Sequence, residues 1–351
     1  MVETRKYWSV ALKIIGVLVG AGLLTYLFTK IDTEKTFQLI TGIGISVGLI
    51  FIPYILVSAF DTVGWKIVFP NPKRAILFQK LLSIRFITEA MLMSIPAGVA
   101  VAESMKPLLL KKYLQIPASE GVASVAVKKM LFGAAQGVYL ILSVAFGFYW
   151  MQASSKSVIG MDGLPWMILG VSVVLIVFFG VGTYAFVNGA IARRLHSLLL
   201  RVPFSPLRSL LLRQEEKFVE VDAQLKEFNS LGSGKMVYAT LAFTLSWLME
   251  AVETFVILWV LGVDLSFAQV LAFETILSFV RSLIFFVPAG LGVQDLGYVA
   301  FFTALGVPDP MTIGGAFILL KRFKELIWII IGYLILFVSG VRLKEMTVQT
   351  S

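Results

Sequence analysis

The chain has no cysteine and only one histidine. Without cysteine there is no disulfide, no thiolate nucleophile, no c-type haem attachment and no Cys-based metal site. The histidine, His196, stands in the basic run Arg193-Arg194-Leu195-His196. It is read as an interfacial side chain, because no Ser/His/Asp triad and no histidine cluster can be assembled around it. Gly290-Leu291-Gly292 looks like a fragment of a phosphate loop, but no Lys-Ser/Thr follows and no Rossmann strand precedes it. Clustered Asp metal motifs are missing too. No metal, no cofactor and no catalysed reaction are therefore expected. Charge itself is sparse: Asp, Glu, Lys and Arg make up 15% of the residues.

What fills the chain instead is apolar. Hydrophobic residues account for 58% of its 351 positions, and the mean hydropathy is +0.89. Apolar runs of about 20 residues recur, the length a helix needs to cross a bilayer. This composition predicts an all-α polytopic integral membrane protein. The net charge of +9 does not argue for nucleic acid. Its basic residues flank the apolar runs, where positive-inside bias and anionic lipid headgroups explain them.

Full spans are expected at about 8–28, 37–60, 118–150, 165–188, 236–262 and 311–339. The first lacks a small-residue cleavage site before Lys30 and is read as uncleaved. Two further segments, 75–115 and 267–305, are interrupted midway by related text. Pro96-Ala97-Gly98-Val99-Ala100-Val101-Ala102-Glu103 returns 192 residues later as Pro288-Ala289-Gly290-Leu291-Gly292-Val293-Gln294-Asp295. In lipid, broken backbone survives only where protein or a wet cavity satisfies its N–H and C=O groups. The stretch 190–235 carries eight Lys/Arg, with Leu207, Leu210, Leu211, Phe218, Val221 and Leu225 at helical spacing. It is predicted to be an amphipathic cytoplasmic linker.

Loop charges set the orientation. Lys66, Lys73 and Arg74, the 190–235 stretch, and Arg342 with Lys344 mark cytoplasmic segments. The loops at 263–266 and 306–310 carry Asp264 and Asp309 and no Lys or Arg, so they lie outside. Segment 267–305 then starts and ends on one side and must turn back at its Pro-Ala-Gly tip. Lys106, Lys111 and Lys112 favour the same for 75–115. The predicted architecture is about six full transmembrane helices plus two re-entrant helical hairpins. It forms one membrane domain, with repeats at 37–150 and 236–339 of inverted topology.

Charges inside the spans supply the candidate site. Lys128 lies about 15 Å beyond a helix start near Ala118, and Lys321 is similarly deep. A mid-membrane charge costs at least about 2.5 kcal/mol. Lys128, Lys129, Lys321 and Arg322 are therefore read as site-lining, with Lys324 and Glu325 following at once. Glu89, Glu103 and Asp295 are their counter-ions, or proton carriers, or cation ligands. Arg85 with Glu89 and Arg322 with Glu325 have the spacing of local helical pairs. Arg281 precedes the second motif as Glu89 precedes the first. Glu250, Glu253 and Glu274 are weaker candidates. The helices restarting after Gly98 and Gly292 would present N–H groups suited to a phosphate, unless Glu103 and Asp295 already cap them.

At these residues the chain resembles the lysylphosphatidylglycerol synthase transmembrane-region family, also described as flippase-like domain proteins. It is similar above all to the branch holding the hopanoid biosynthesis-associated membrane proteins. The matching text is Phe86–Glu89, Glu103-Ser104-Met105-Lys106, Ala123–Lys129, Val287–Tyr298 with its Gln294-Asp295 pair, and Leu320–Glu325. The resemblance implies a membrane domain that moves lipids, and the chain ends without a synthetic domain. It differs at Asp295, where Glu is usual, at Lys106, near which Arg is usual, and at Lys128-Lys129, where an acid–base pair is usual. The doubled lysine suits a more anionic headgroup.

These readings converge on a translocase for a phospholipid or polyprenyl-phosphate-type lipid in a prokaryotic inner membrane, with both termini cytoplasmic. Its expected partners are membrane lipids with anionic or phosphate-bearing headgroups, and no nucleic acid. An ion-coupled transporter of a small anion, or a scaffold for a lipid-synthesis enzyme, are the alternatives.

Overall fold

The computed structural model describes residues 22–23, 25–26, 29–69, 76–95, 98–188, 191–200, 215–228, 232–283 and 292–339; of residues 280–283 and 293 it describes the backbone alone. Nearly all of the expected span at 8–28 and the tips at Pro96-Ala97 and Pro288–Leu291 lie outside the described residues. Among the described residues there is no strand. The protein is an all-helical, polytopic membrane protein, and four of its helical stretches are long and apolar enough to cross a bilayer: Thr33–Val68, Ala118–Ile159, Leu164–Asn188 and Gly232–Val260.

The first of these is composite. Helix α1 (Thr33–Ile43) is capped by Asp32, whose carboxylate accepts from the Lys35 N–H at 3.1 Å. A 3-10 stretch, Gly44–Ile50, then leads into α2 (Phe51–Val68). The expected span ended at residue 60 and assigned Asp61 and Lys66 to a loop, but both lie inside α2. The misplaced boundary arose because a charged pair among apolar residues looks like a span end when its partners are unknown.

Helices α3 (Phe78–Ser94) and α4 (Gly98–Leu114) pack along each other as an antiparallel hairpin. The Lys80 ammonium donates to the Tyr113 carbonyl at 3.0 Å and closes the open end. The glycine of the first motif is required sterically. A Cβ on Gly98 would collide with the Leu92 carbonyl oxygen and lie 2.8 Å from that of Met91. Helix α5 (Ala118–Ile159) follows; its 42 residues span about 60 Å, twice the hydrocarbon thickness of a bilayer. Helix α6 is Leu164–Asn188.

The polar linker contains α7 (Ile191–Leu199) and α8 (Glu215–Glu227), which pack together. Asp222 of α8 accepts from the Ala192 and Arg193 N–H groups at 2.8 and 3.0 Å. A carboxylate thus neutralises the exposed donors at the N-terminal end of α7. His196 is buried against the Phe218 ring, 4.7 Å between centroids.

The order helix, hairpin, helix then recurs as α9 (Gly232–Val260), α10 (Phe267–Leu283), α11 (Val293–Ala304) and α12 (Pro310–Val338). Antiparallel packing of α10 on α11 is carried by the Phe273–Phe301 stack at 3.8 Å and by Gly297, where a Cβ would collide with Leu277. Helix ends correspond at the motif's own interval: α2 and α9 end at Val68 and Val260, and α5 and α12 begin at Ala118 and Pro310, each pair 192 residues apart.

Packing divides the chain into two units that interleave in sequence. One comprises Ile55–Tyr139, Gly170–Leu248 and the described residues from Trp328, and contains the hairpin α3–α4. Its core gathers Trp65, Leu81, Ile84, Ile87, Leu109 and Leu110, with a second cluster around Val127, Phe228 and Phe243. The other comprises the described residues up to Tyr54, Leu140–Leu169 and Met249–Ile327, and contains α10–α11. Its core is aromatic, built on Phe273, Tyr298, Phe302 and Phe317. They are called below the early-hairpin and late-hairpin units.

Candidate functional site

In the early-hairpin unit the centre is Asp61 of α2. Its carboxylate accepts from the Lys128 ammonium of α5 at 2.7 Å and from Nε of Arg85 on α3 at 2.9 Å. Arg85 also pairs with Glu89 one turn along. The Lys128 ammonium sits 4.5 Å from the centre of the Trp65 ring. Asp61 and Lys128 are both buried. Such a pair persists in a low-dielectric interior only when hydrogen bonds satisfy both charges, and these contacts supply them. Beside it lies a more open pair. Glu103 of α4 accepts from Lys106 at 2.9 Å and from Lys129 of α5 at 2.6 Å, and the Lys129 side chain remains 53% exposed.

The late-hairpin unit repeats this plan with different residues. Glu253 of α9 pairs with Lys324 of α12, both buried, and the Lys324 ammonium lies 4.9 Å from the Tyr54 ring centre. Arg322 of α12 forms the more open contact. One of its amino groups reaches both Asp295 oxygens at 2.9 Å, and the other reaches Glu325 at 2.8 Å. Its side chain is 28% exposed. Asp295 also accepts from the Gly292 N–H at 2.9 Å. Gly292 has φ +75°, which glycine adopts without strain, and this bends the chain into the first turn of α11. The donor expected to greet a phosphate there is taken by Asp295.

Next to these pairs runs a chain of hydroxyls. Lys321 donates to the Tyr298 hydroxyl at 2.5 Å, as does Gln294 at 3.0 Å. The Tyr298 hydroxyl donates to Glu274 at 3.2 Å, and Thr254 donates to the same carboxylate oxygen.

Of the residues singled out from sequence, Glu89, Glu103, Lys106, Lys128 and Lys129 are brought together in one unit. Gln294, Asp295, Lys321, Arg322 and Glu325 are brought together in the other. The side chain of Arg281 lies outside the described residues. Sequence reasoning missed Asp61, the hub of the first cluster, and gave Tyr298 no role. A signal for both existed. Asp61 and Glu253, Glu103 and Asp295, Lys106 and Tyr298, and Lys129 and Lys321 are all separated by the motif's interval of 192.

Long apolar helices whose few charges are gathered into internal ion pairs define a polytopic helical membrane protein with two charged centres. A family model described as the Lysylphosphatidylglycerol synthase TM region matches residues 13–332, and the chain belongs to that family. No curated protein and no solved structure matches it significantly.

Proposed function

We propose that this protein translocates a phospholipid or polyprenyl-phosphate-type lipid headgroup across a prokaryotic cytoplasmic membrane, without altering the lipid covalently. Family membership supports a lipid-related membrane role. The observation that carries the finer reading is a graded arrangement of charge in each unit. A buried pair (Asp61–Lys128; Glu253–Lys324) stands behind a partly open base held by the motif carboxylate (Lys129 on Glu103; Arg322 on Asp295). The buried pair holds the helices in register. The open base can exchange its carboxylate for a lipid phosphate without first paying to desolvate a bare charge.

In this reading the hairpins are re-entrant and the two halves form an inverted repeat. Both termini and the 190–235 linker face the cytoplasm. In this reading the chain stands beside the hopanoid-associated members of the family. The linker would then be the surface met by any lipid-synthesis enzyme.

The test is reconstitution in liposomes with fluorescent-headgroup phospholipids of several classes, scored by quencher accessibility. Headgroup movement above empty vesicles is expected, fastest for anionic phosphates. Movement no faster than in empty vesicles for every class would refute the proposal. Gradient-driven uptake of a water-soluble anion in its place would make the protein an anion transporter.

A further inference from the structure

We propose that Lys321, Tyr298 and Glu274 of the late-hairpin unit form a proton relay, and that its proton is taken up and released as the headgroup moves. The coupling rests on the translocation reading above; the proton binding does not.

The charges of this unit leave a specific remainder. Asp295 and Glu325 are held by Arg322, and Glu253 is held by Lys324. Among the described residues, Lys321 and Glu274 form no ion pair, although they carry opposite charges and are bonded to the same hydroxyl. Other polar groups on the surrounding helices include Glu250 and Thr254 on α9, Gln269, Thr275 and Ser278 on α10, Gln294 and Thr303 on α11, Thr312 on α12 and Tyr54 on α2. Thr254 is itself bonded to Glu274.

The hydroxyl between the two charges has a determined orientation. A phenol oxygen has two acceptor sites and one hydrogen. Lys321 and Gln294 occupy both acceptor sites, so the hydrogen must point to Glu274. Tyr298 is buried and its ring is packed among Phe273, Phe302 and Phe317, which fixes the oxygen in place. Lys321 and Glu274 are both only partly buried, so each end of the chain has access to its surroundings.

Transfer then balances. A proton leaves the Lys321 ammonium for the Tyr298 oxygen while the proton of Tyr298 passes to Glu274. Neutral amine, phenol and carboxylic acid result, with no net change in charge. Release of the Glu274 proton leaves the unit one unit more negative. Uptake by Lys321 and rotation of the Tyr298 O–H restore the start. Among the described residues the early-hairpin unit shows a different arrangement at this place: the position 192 residues before Tyr298 is Lys106, which bonds Glu103 directly.

Two measurements test the relay. The first needs no transport: infrared difference spectra of the purified protein between acidic and alkaline buffer. A carboxyl band that vanishes in E274Q and shifts its midpoint in Y298F is expected. Spectra identical in wild type and E274Q would overturn the relay. The second uses proteoliposomes with a fluorescent-headgroup anionic phospholipid and a pH difference of about one unit, which acts on one coupled proton by up to about tenfold. The wild-type rate is expected to respond, and Y298F and E274Q to be indifferent. Wild-type movement indifferent to the gradient would overturn the coupling. Titration of Glu274 without any headgroup movement would leave the relay standing and remove the translocase reading.

Discussion

Glu103 and Asp295 occupy the same place in the two copies of the motif, yet their surroundings differ. Glu103 stands well inside α4 and is held by two lysines, one of them largely exposed. Asp295 stands in the first turn of α11, caps it through Gly292, and is held by both of its oxygens on a single arginine. The early cluster has four bases (Arg85, Lys106, Lys128, Lys129) against three acids (Asp61, Glu89, Glu103), an excess of one positive charge. Among the described side chains, the late cluster has three (Lys321, Arg322, Lys324) against four (Glu253, Glu274, Asp295, Glu325), an excess of one negative. Identical spacing has thus been filled, among the described side chains, with a different balance of charge. A flexible ammonium on a carboxylate is a contact that a phosphate can enter, whereas a guanidinium fork across two carboxylates is a clamp.

The largest effect is expected where that comparison is broken at its base. Asp61→Ala orphans Lys128 and leaves Arg85 to Glu89, and removing one partner of a buried pair costs about 3–5 kcal/mol. Glu253→Ala orphans Lys324 alone and should cost less. Thermal unfolding in detergent, read beside expression yield, ranks the two. A double replacement of Asp61 by Leu and Lys128 by Met should regain much of the loss, because no uncompensated lysine remains. Equal behaviour of the Asp61 and Glu253 variants would erase the distinction between a shared and a simple pair.

How much of this could be read from the chain follows from what each feature depends on. The hairpins were legible because Pro and Gly interrupt an apolar run, and that signal is local. The pairs Arg85–Glu89 and Arg322–Glu325 were legible because helical spacing alone brings them together. Asp61 was not, because its partners are 24 and 67 residues away. Tyr298 stood three residues beyond the second motif, in plain view. Its role depends on Lys321, Glu274 and Gln294 meeting on one oxygen, which only the packing of three helices reveals.

A functional effect is expected at the open bases. Lys129→Ala removes an exposed ammonium, so stability should change by less than about 1 kcal/mol. Headgroup movement should nevertheless fall by about tenfold or more, the worth of one charged hydrogen bond to a phosphate. Arg322→Lys keeps the charge but loses the fork, and a single ammonium cannot hold Asp295 and Glu325 in the same geometry. Stability and movement should therefore fall together in that variant. If Lys129→Ala were as destabilising as Arg322→Lys, the contrast between contact and clamp would fail.

A smaller effect separates the hairpins themselves. Gly98→Ala drives a methyl into the Met91 and Leu92 carbonyls, which cannot move without bending α3, at about 1–3 kcal/mol. Gly297→Ala meets only the end of the Leu277 side chain, which can change rotamer, so the cost should stay below about 1.5 kcal/mol. Chemical denaturation of the two variants side by side would decide the order.

The smallest effect lies outside both clusters and serves as their control. Asp32 is exposed at the start of α1, where the Lys35 backbone N–H holds its carboxyl below the usual value of 3.8. The folded value is depressed relative to the unfolded one, so the contribution is present above about pH 4 and is lost as the pH falls through the folded value. Asp32→Asn keeps an acceptor for the cap but removes the titration. The protection of the Lys35 amide relative to its intrinsic exchange rate should therefore fall on acidification in the wild type and stay level in the variant. An exposed carboxylate held by one neighbouring residue provides the scale against which Asp61 and Glu103, bound by two cations each, must be measured.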